Sequence, residues 1–193
     1  MQSGTVFSRE GMDKAWVRQY FKPNACNYCD DVFAEVADIV FMDAWLDRYI
    51  QDPRGTNFVV SRRAAFRQYF QQGQQDRQIY LEDVSIDDVI KSQQSVIDLK
   101  RTVLAERLAM AKKLHWPAIP NKRVAPARIT LFRLGQLGLQ HWLISASKKA
   151  FLAQRGRRQL DDFERRVRPI LFLQKLLAYL QYLARRIGVL LHV

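Results

Sequence analysis

Cysteine is scarce in this chain: Cys26 and Cys29 are the only two among 193 residues. A single pair this close excludes a disulfide framework, because two intervening residues are too few for an ordinary structural bridge. We therefore expect a reducing, intracellular compartment. Glycine and proline are also scarce, with eight and six residues, which argues against a disordered chain.

Long apolar runs are absent as well. The most apolar stretch, residues 134–147, is shorter than a membrane span and carries Gln136, Gln140 and His141. The first four residues lack the apolar segment of a secretory signal. We expect a cytoplasmic protein with no membrane-spanning helix.

Negative charge is scarce in the second half. Residues 1–99 hold 11 Lys/Arg and 15 Asp/Glu, a net charge of −4, whereas residues 100–193 hold 20 and 4, a net charge of +16. Such asymmetry predicts either two functions or one core with a docking surface.

The first half alternates short apolar runs with polar turns. Runs rich in β-branched and aromatic residues predict strands at 5–8, 39–44, 58–61 and 79–84. Residues 52–57 predict a turn, and 64–72 a short helix. The fold class expected is α+β, with a small mixed sheet core and a C-terminal helical extension.

The second half is predicted to be helical. Ser85 and Asp88 form a capping-box pattern that opens a long helix, which Gln93 and Gln94 interrupt. A proline-rich linker at 116–126 separates a domain at 1–115 from a basic helical subdomain at 127–193. Within that subdomain we expect helices at 129–152 and 160–167, the latter ending near Pro169. A last helix follows, whose leucine stripe at 173–187 we interpret as packing.

The cysteine pair alone leaves its chemistry open. Two thiolates at this spacing suit a soft metal centre or a redox dithiol, and two ordinary thiols are an equal alternative. The carboxylates of Asp30 and Asp31 should disfavour a free thiolate, which argues against a reactive nucleophile. A metal ion would overcome that penalty through its own charge.

Several short motifs follow the cysteines in a fixed order. They are Cys-Asn-Tyr-Cys-Asp at 26–30, Ala-Glu-Val-Ala-Asp-Ile at 34–39, Asp-Ala-Trp at 43–45, Gly-Thr at 55–56 and a strand-like run ending at Arg62. This set resembles the C-terminal domain of the beta subunit of coenzyme F420 hydrogenases and dehydrogenases, as do Ser92-Gln93, Lys100-Arg101 and Arg107 further along. The Asp-Ala-Trp variant is similar to bacterial members found with polysaccharide-synthesis proteins.

The resemblance implies a flavin- and iron–sulfur-dependent oxidoreductase subunit that transfers electrons. Cys26 and Cys29 would be two ligands of a four-iron cluster. Residues near the cluster and the FAD, or holding the flavin and its phosphates, would be Asp30, Asp43, Trp45, Gly55, Thr56, Asn57 and Arg62. Deazaflavin coenzyme F420 is a further candidate cofactor, and no residue is identified as a general acid or base.

Two departures from the family pattern have consequences. Met42 stands where the family has a glycine, and a side chain there would obstruct a cofactor that approaches the backbone. The family's N-terminal half, which supplies further cysteines, has no counterpart in this sequence. We expect an N-terminal half or a partner subunit to supply the remaining ligands, together with a separate redox partner.

The basic second half allows a different class of function. A non-catalytic relative could act as a binding module on an anionic membrane, at the inner membrane face, or on an acidic partner in polysaccharide biosynthesis. Lys148-Lys149 and Arg155-Gly156-Arg157-Arg158 lie close to Trp142 and Phe151 in support of this alternative. A solvated basic face is the default interpretation. Nucleic acid ranks last as a partner, because no recognition motif is present.

Overall fold

The computed structural model describes residues 12–117, 120, 122–153 and 160–186. These fold into two compact units. The sheet unit comprises the described residues of 29–104 and 122–124, and the helical unit comprises those of 12–28, 105–120 and 125–186. The predicted strand at 5–8 and the basic run at 155–158 lie outside the described residues, and the predicted domain boundaries stay a prediction.

Two antiparallel strands form the centre of the sheet unit. β1 (Ile39–Asp43) pairs with β2 (Asn57–Ser61), with Asp43 opposite Asn57 and Ile39 opposite Ser61. Between them lie the one-turn helix α3 (Asp47–Ile50) and a turn at Gly55. Gly55 adopts φ +79°, a left-handed conformation that residues with a Cβ rarely adopt. Both strands agree with the sequence prediction to within one residue.

The strand predicted at 79–84 is wrong. Helix α4 (Ala64–Gln75) extends three residues beyond its predicted end, and the chain after it folds back on that helix. The amides of Gln78 and Ile79 donate to the Gly73 carbonyl at 2.9 and 3.3 Å. Gln74 Nε2 donates to the carbonyl of Leu81 at 3.1 Å. These local hydrogen bonds replace the strand pairing that the apolar pattern predicted.

The long helix predicted after Ser85 is present as consecutive segments. They are α5 (Ile86–Ser92), α6 (Gln94–Asp98), a π-helical turn (Leu99–Val103) and α7 (Leu104–Lys113). Ser85 caps the start, because its side chain accepts the amide hydrogen of Asp88 at 3.1 Å. The break at Gln93 matches the interruption seen in the sequence.

Buried polar side chains at this break form hydrogen bonds with the backbone at the end of β1. Gln93 Nε2 and Ser92 Oγ donate to the Asp43 carbonyl at 2.8 and 3.2 Å. Ser92 Oγ also accepts the Trp45 amide hydrogen at 2.8 Å. The polar residues that interrupt the helix therefore bind backbone groups of the same unit. Beside them a small apolar core forms from Ala44, Leu46 and Phe58.

Two long helices, α8 (Leu131–Ala153) and α9 (Leu160–Arg186), dominate the helical unit. Leu143, Val167 and Ile170 form the buried centre of their contact. Two glutamine pairs extend it: Gln136 donates to Gln181 at 2.6 Å, and Gln174 donates to Gln140 at 3.1 Å. The short helices α1 (Met12–Val17) and α2 (Asn24–Asn27) belong to the same unit.

A helix end near Pro169 was predicted, and this is wrong: α9 continues through that residue. Proline inside a helix costs about 3 kcal/mol, because it removes one hydrogen bond and crowds the preceding turn. Val167 and Ile170 lie on either side of Pro169 and are both buried against the rest of the unit. Packing on both sides of the proline thus outweighs the local preference.

The α+β fold class with a helical extension is confirmed, and the described strands form one two-stranded antiparallel sheet. Within the described part of the chain, no helix combines the length and hydropathy needed to cross a membrane.

We predict that Gln93→Ala lowers the free energy of unfolding by about 1–3 kcal/mol, because the Asp43 carbonyl loses a buried donor. Gln94→Ala is the matched control. Its side chain is exposed and, among the described residues, bonds Asp98 alone, so the change should alter stability by less than about 0.5 kcal/mol. Urea unfolding followed by circular dichroism measures both, and equal losses in the two variants would contradict the assigned role of Gln93.

Candidate functional site

Cys26 lies in the one-turn helix α2. Pro23 precedes that helix in an extended conformation, with φ −60° and ψ 141°. The amide of Cys26 donates to the Pro23 carbonyl at 3.1 Å, and the amide of Tyr28 donates to the Ala25 carbonyl at 3.1 Å. Local hydrogen bonds therefore fix the backbone, while the thiol itself is exposed and accessible to a ligand.

Cys29 begins the sheet unit and is half-buried, with its sulfur 3.8 Å from the Asp31 carbonyl oxygen. The pKa of the Cys29 thiol is lowered. A hydrogen bond from Lys100 is the main cause, and it outweighs both the burial and the Asp31 charge that oppose it. The Asp31 charge does disfavour the thiolate, as expected, but the pKa of Cys29 is lowered overall because of the hydrogen bond from Lys100, which the sequence did not predict.

Residues 29–38 form what we call the cysteine loop, and Arg62 holds its backbone. The Arg62 guanidinium donates to the carbonyls of Phe33 (2.9 Å), Ala34 (3.2 Å) and Ala37 (2.6 Å). Ala34 adopts φ 46°, an unfavourable conformation for a residue with a Cβ. Three charge-assisted hydrogen bonds offset that strain and fix the path of the loop.

Further cations hold the start of the cysteine loop. Arg101 Nη1 donates to the Asp30 carbonyl at 2.6 Å. The Asp30 carboxylate accepts the Arg123 amide hydrogen at 3.2 Å and lies 3.7 Å from Lys122 Nζ. These contacts lower the pKa of Asp30, the Arg123 amide most strongly. Arg123 also forms an ion pair with Glu35, so basic residues of the sheet unit bind both acidic groups.

The structure separates the residues expected around the flavin. Asp43, Trp45, Gly55, Thr56 and Asn57 lie at one end of the strand pair, where Asp43 opposes Asn57 and the Ala44 amide donates to the Thr56 carbonyl at 3.0 Å. Trp45 is 63% exposed and is therefore not a core residue. These five residues form a polar edge with one accessible aromatic ring.

Arg62 lies beyond the other end of the strand pair. Its amide donates to the Asp38 carbonyl at 2.9 Å, next to Ile39, which opposes Ser61. The four steps from Asn57 to Ser61 span about 13 Å at roughly 3.3 Å per residue. The structure thus brings Arg62 to the cysteine loop and not to the edge at Gly55.

Met42 points into the sheet unit. It opposes Phe58 across the strands and packs against the core of Ala44, Leu46 and Phe58. The side chain that replaces the family's glycine therefore fills core volume, and the exposed face of β1 is formed by Phe41 and Asp43.

No group of three or more His, Cys, Asp or Glu side chains is positioned for one metal ion among the described residues. The pKa of the Cys29 thiol is lowered, and the thiolate is the form of cysteine that binds metal. The role of Cys26 and Cys29 as two ligands of an iron–sulfur cluster stays a prediction.

The most informative residue that sequence reasoning left without a role is Lys100. Family resemblance singled out Lys100 and Arg101 but assigned no contact to either residue. The π-helical turn that carries them lies some seventy positions beyond the cysteine loop, a separation that no local pattern bridges. Turns of this kind are frequent at functional sites.

A two-stranded sheet and a cysteine loop held by basic side chains define an α+β domain. Residues 4–87 match the family model that describes the C terminus of the coenzyme F420 hydrogenase/dehydrogenase beta subunit. This match confirms the resemblance drawn from the motifs over that segment, which is less than half of the chain. No curated protein and no solved structure matches the chain.

We predict that Lys100→Met slows alkylation of Cys29 at pH 7, because loss of the ammonium raises the thiol pKa and lowers the thiolate fraction. The measurement uses a Cys26→Ser background, so that iodoacetamide reports Cys29 alone. Lys91→Met, a change at an exposed lysine of α5, should leave the rate unchanged. An unaltered rate in Lys100→Met would show that Lys100 does not act on the sulfur.

Proposed function

We propose that this chain carries an electron-transfer domain of a flavin- and iron–sulfur-dependent reductase. In this proposal Cys26 and Cys29 are two cluster ligands, and the polar edge at Asp43, Trp45 and Gly55–Asn57 contacts the flavin. The cluster would supply one-electron transfer and the flavin hydride transfer. Coenzyme F420 is proposed as the diffusible partner, because the family description names it.

The observation that carries this proposal is the match of residues 4–87 to this family, because the cysteine pair lies inside the matched segment. A hydrogen bond from Lys100 lowers the pKa of the Cys29 thiol and so favours the thiolate, the form that binds metal. Arg62 and Arg101 hold the loop that carries the thiol. We reassign Arg62 from the flavin to this loop, because its guanidinium already donates to three carbonyls.

A four-iron cluster usually takes four thiolates, and this sequence offers two. We propose that a partner subunit, or another segment of a longer protein, supplies the others. The residues of this chain then contribute two sulfurs, a lysine that stabilises the thiolate and a loop of fixed path. Electrons would leave through a separate redox partner.

We predict that the isolated chain binds Co²⁺ through both cysteines, with thiolate-to-cobalt absorption in a titration under anaerobic conditions. Cys26→Ser and Cys29→Ser should each abolish the two-thiolate spectrum, because both ligands are needed. Asp38→Asn, which alters an acidic residue of the same loop but no thiol, serves as the control.

Anaerobic reconstitution with iron and sulfide then tests completeness. Little iron and weak FAD binding are expected in the isolated chain. Stoichiometric iron in a monomer would refute the need for external ligands, and a cobalt spectrum that survives Cys29→Ser would refute the ligand assignment.

A second candidate function follows from the outer face of α9. We infer that this face docks on an anionic lipid surface, as the basic composition also suggested. Six of its residues recur at helical spacing and are between 37% (Leu183) and 65% (Phe172) exposed: Phe172, Leu173, Leu176, Tyr179, Leu180 and Leu183. The interpretation of this leucine stripe as packing is therefore wrong for Leu173, Leu176 and Leu180.

The charges of α9 favour a lipid surface over a second copy of the chain. Helix α9 holds six cations and three carboxylates, and two of the carboxylates pair with Arg165 and Arg168. Its net charge is therefore positive, so two copies would repel each other. A shallow cleft of about 280 Å³ between α8 and α9 is lined by Trp142, Ser145, Lys149 and Arg166, among others. Two cations, a hydroxyl and an indole suit a phospholipid headgroup.

We predict binding to vesicles of phosphatidylcholine with phosphatidylglycerol, and none to phosphatidylcholine alone. Reversal of Arg168, Lys175 and Arg186 to Glu should weaken binding by about 100-fold or more, at about 1 kcal/mol for each charge removed. The same reversal at Arg67, Lys91 and Lys112, which are exposed elsewhere, is the charge-matched control. The lipid proposal fails if the protein does not co-sediment with these vesicles at low salt, or if both triple variants weaken binding equally. The basic face of α9 would then be a solvated surface.

A further inference from the structure

The cleft between α8 and α9 has a floor of small side chains and two cations at its rim. It has a volume of about 280 Å³ and is lined by six residues: Trp142, Ser145, Ala146, Lys149, Ala150 and Arg166. The five from α8 recur at helical spacing and so share one face of that helix. Ala150 is buried, and Ala146 packs against the core of the helical unit. Packing therefore fixes the floor of the cleft.

The two cations of the cleft lack a carboxylate partner. Asp162 and Glu164, the carboxylates nearest to Arg166 along α9, pair with other arginines at 3.1 and 3.4 Å. Among the described residues neither Lys149 nor Arg166 forms an ion pair, and none of the lining residues is acidic. The positive charges of the cleft are therefore available to a bound anion.

Ser145 adds a hydroxyl group to the same cleft. The hydroxyl of Ser147, two positions further along α8, is already engaged, because it donates to the Ile144 carbonyl at 2.8 Å and accepts the Phe21 amide hydrogen at 3.0 Å. Ser145 has no such hydrogen bond within the described part of the chain, and it lines the cleft. Two cations and a hydroxyl thus converge on one cavity beside Trp142, which is 51% exposed.

Arg166 shares a helix face with exposed leucines of α9. Leu173 and Leu180 follow it by seven and fourteen positions, about two and four turns of an α-helix, and both are exposed. A helix that lies in a membrane interface buries its apolar face at the boundary between the headgroups and the acyl chains. When this face docks on lipid, Arg166 therefore lies at the level of the headgroups.

We propose that this cleft binds the phosphate monoester headgroup of a membrane lipid, such as phosphatidic acid, in preference to a phosphodiester headgroup. This inference rests on the lipid docking proposed for α9. A phosphate monoester carries a charge of about −1.5 to −2 at pH 7 and three acceptor oxygens, which match two cations and a hydroxyl donor. Arg166 can donate two parallel hydrogen bonds to such a group. A phosphodiester carries a single negative charge and leaves one cation unpaired.

Co-sedimentation of the full chain tests this preference with two kinds of phosphatidylcholine vesicle, one containing phosphatidic acid and the other phosphatidylglycerol. The fractions of the two anionic lipids are adjusted until both vesicles have the same zeta potential, so that diffuse electrostatic attraction is equal. We expect the dissociation constant to be lower for phosphatidic acid by about fivefold or more, which is the effect of one further charge contact at the surface.

Variants of the cleft test where the preference arises. Lys149→Gln combined with Arg166→Gln should bring the ratio of the two dissociation constants to about one. Both residues are exposed, so the fold loses no buried contact. Lys175→Gln combined with Arg185→Gln removes the same charge from exposed positions outside the cleft, and it should weaken binding to both vesicles while the ratio stays. Ser145→Leu, which fills the cleft without a change of charge, should lower the ratio.

The outcomes separate this proposal from the docking of α9. Equal dissociation constants for the two vesicles in the wild-type chain would overturn the headgroup preference and leave the lipid docking standing. Absence of binding to either vesicle would overturn both. A preference that persists in the Lys149→Gln, Arg166→Gln variant would overturn the cleft as the site of the phosphate.

Discussion

The hydrogen bonds from Arg62 to the carbonyls of the cysteine loop are the contact on which the arrangement of the sheet unit depends. The loop lacks helix and strand, so its backbone groups need partners from side chains. Arg62 supplies donors to three carbonyls, and Arg101 supplies one to Asp30. Because Arg62 directly follows β2 and Arg101 lies in the π-helical turn, the sheet and the helix together determine where Cys29 lies.

This arrangement prepares the thiol electrostatically before any ligand binds. Lys100 lowers the pKa of Cys29, while the carboxylate of Asp30 is bound by Lys122 and the Arg123 amide and so opposes the thiolate less. A preformed loop reduces the conformational entropy that ligand binding must overcome. Basic side chains thus bind both the backbone carbonyls and the carboxylates of this loop. This explains why a locally acidic sequence carries a thiol with a lowered pKa.

Sequence reasoning located the elements whose signals are local. β1 and β2 were predicted from their β-branched residues, and Ser85 was identified as a helix cap. Errors arose where distant packing or local hydrogen bonds decided the outcome, as at Pro169 inside α9 and in the segment after Gly73. Within the candidate site, the two cysteines and the order of the motifs could be predicted from the sequence. The hydrogen bond from Lys100 to Cys29 joins residues that are far apart in the chain, so no spacing rule predicts it.

The central claim is that the cysteine loop is formed in the metal-free chain. Hydrogen–deuterium exchange on the chelator-treated protein tests it at two loop amides. The Glu35 amide donates to the Asp31 carboxylate at 3.1 Å, and the Ala37 amide donates to the Ala34 carbonyl at 2.9 Å. Both should exchange more slowly than in an unstructured peptide, and Arg62→Met should remove that protection while β1 and β2 keep theirs. Exchange of both amides at unstructured-peptide rates in the wild-type chain would contradict the account.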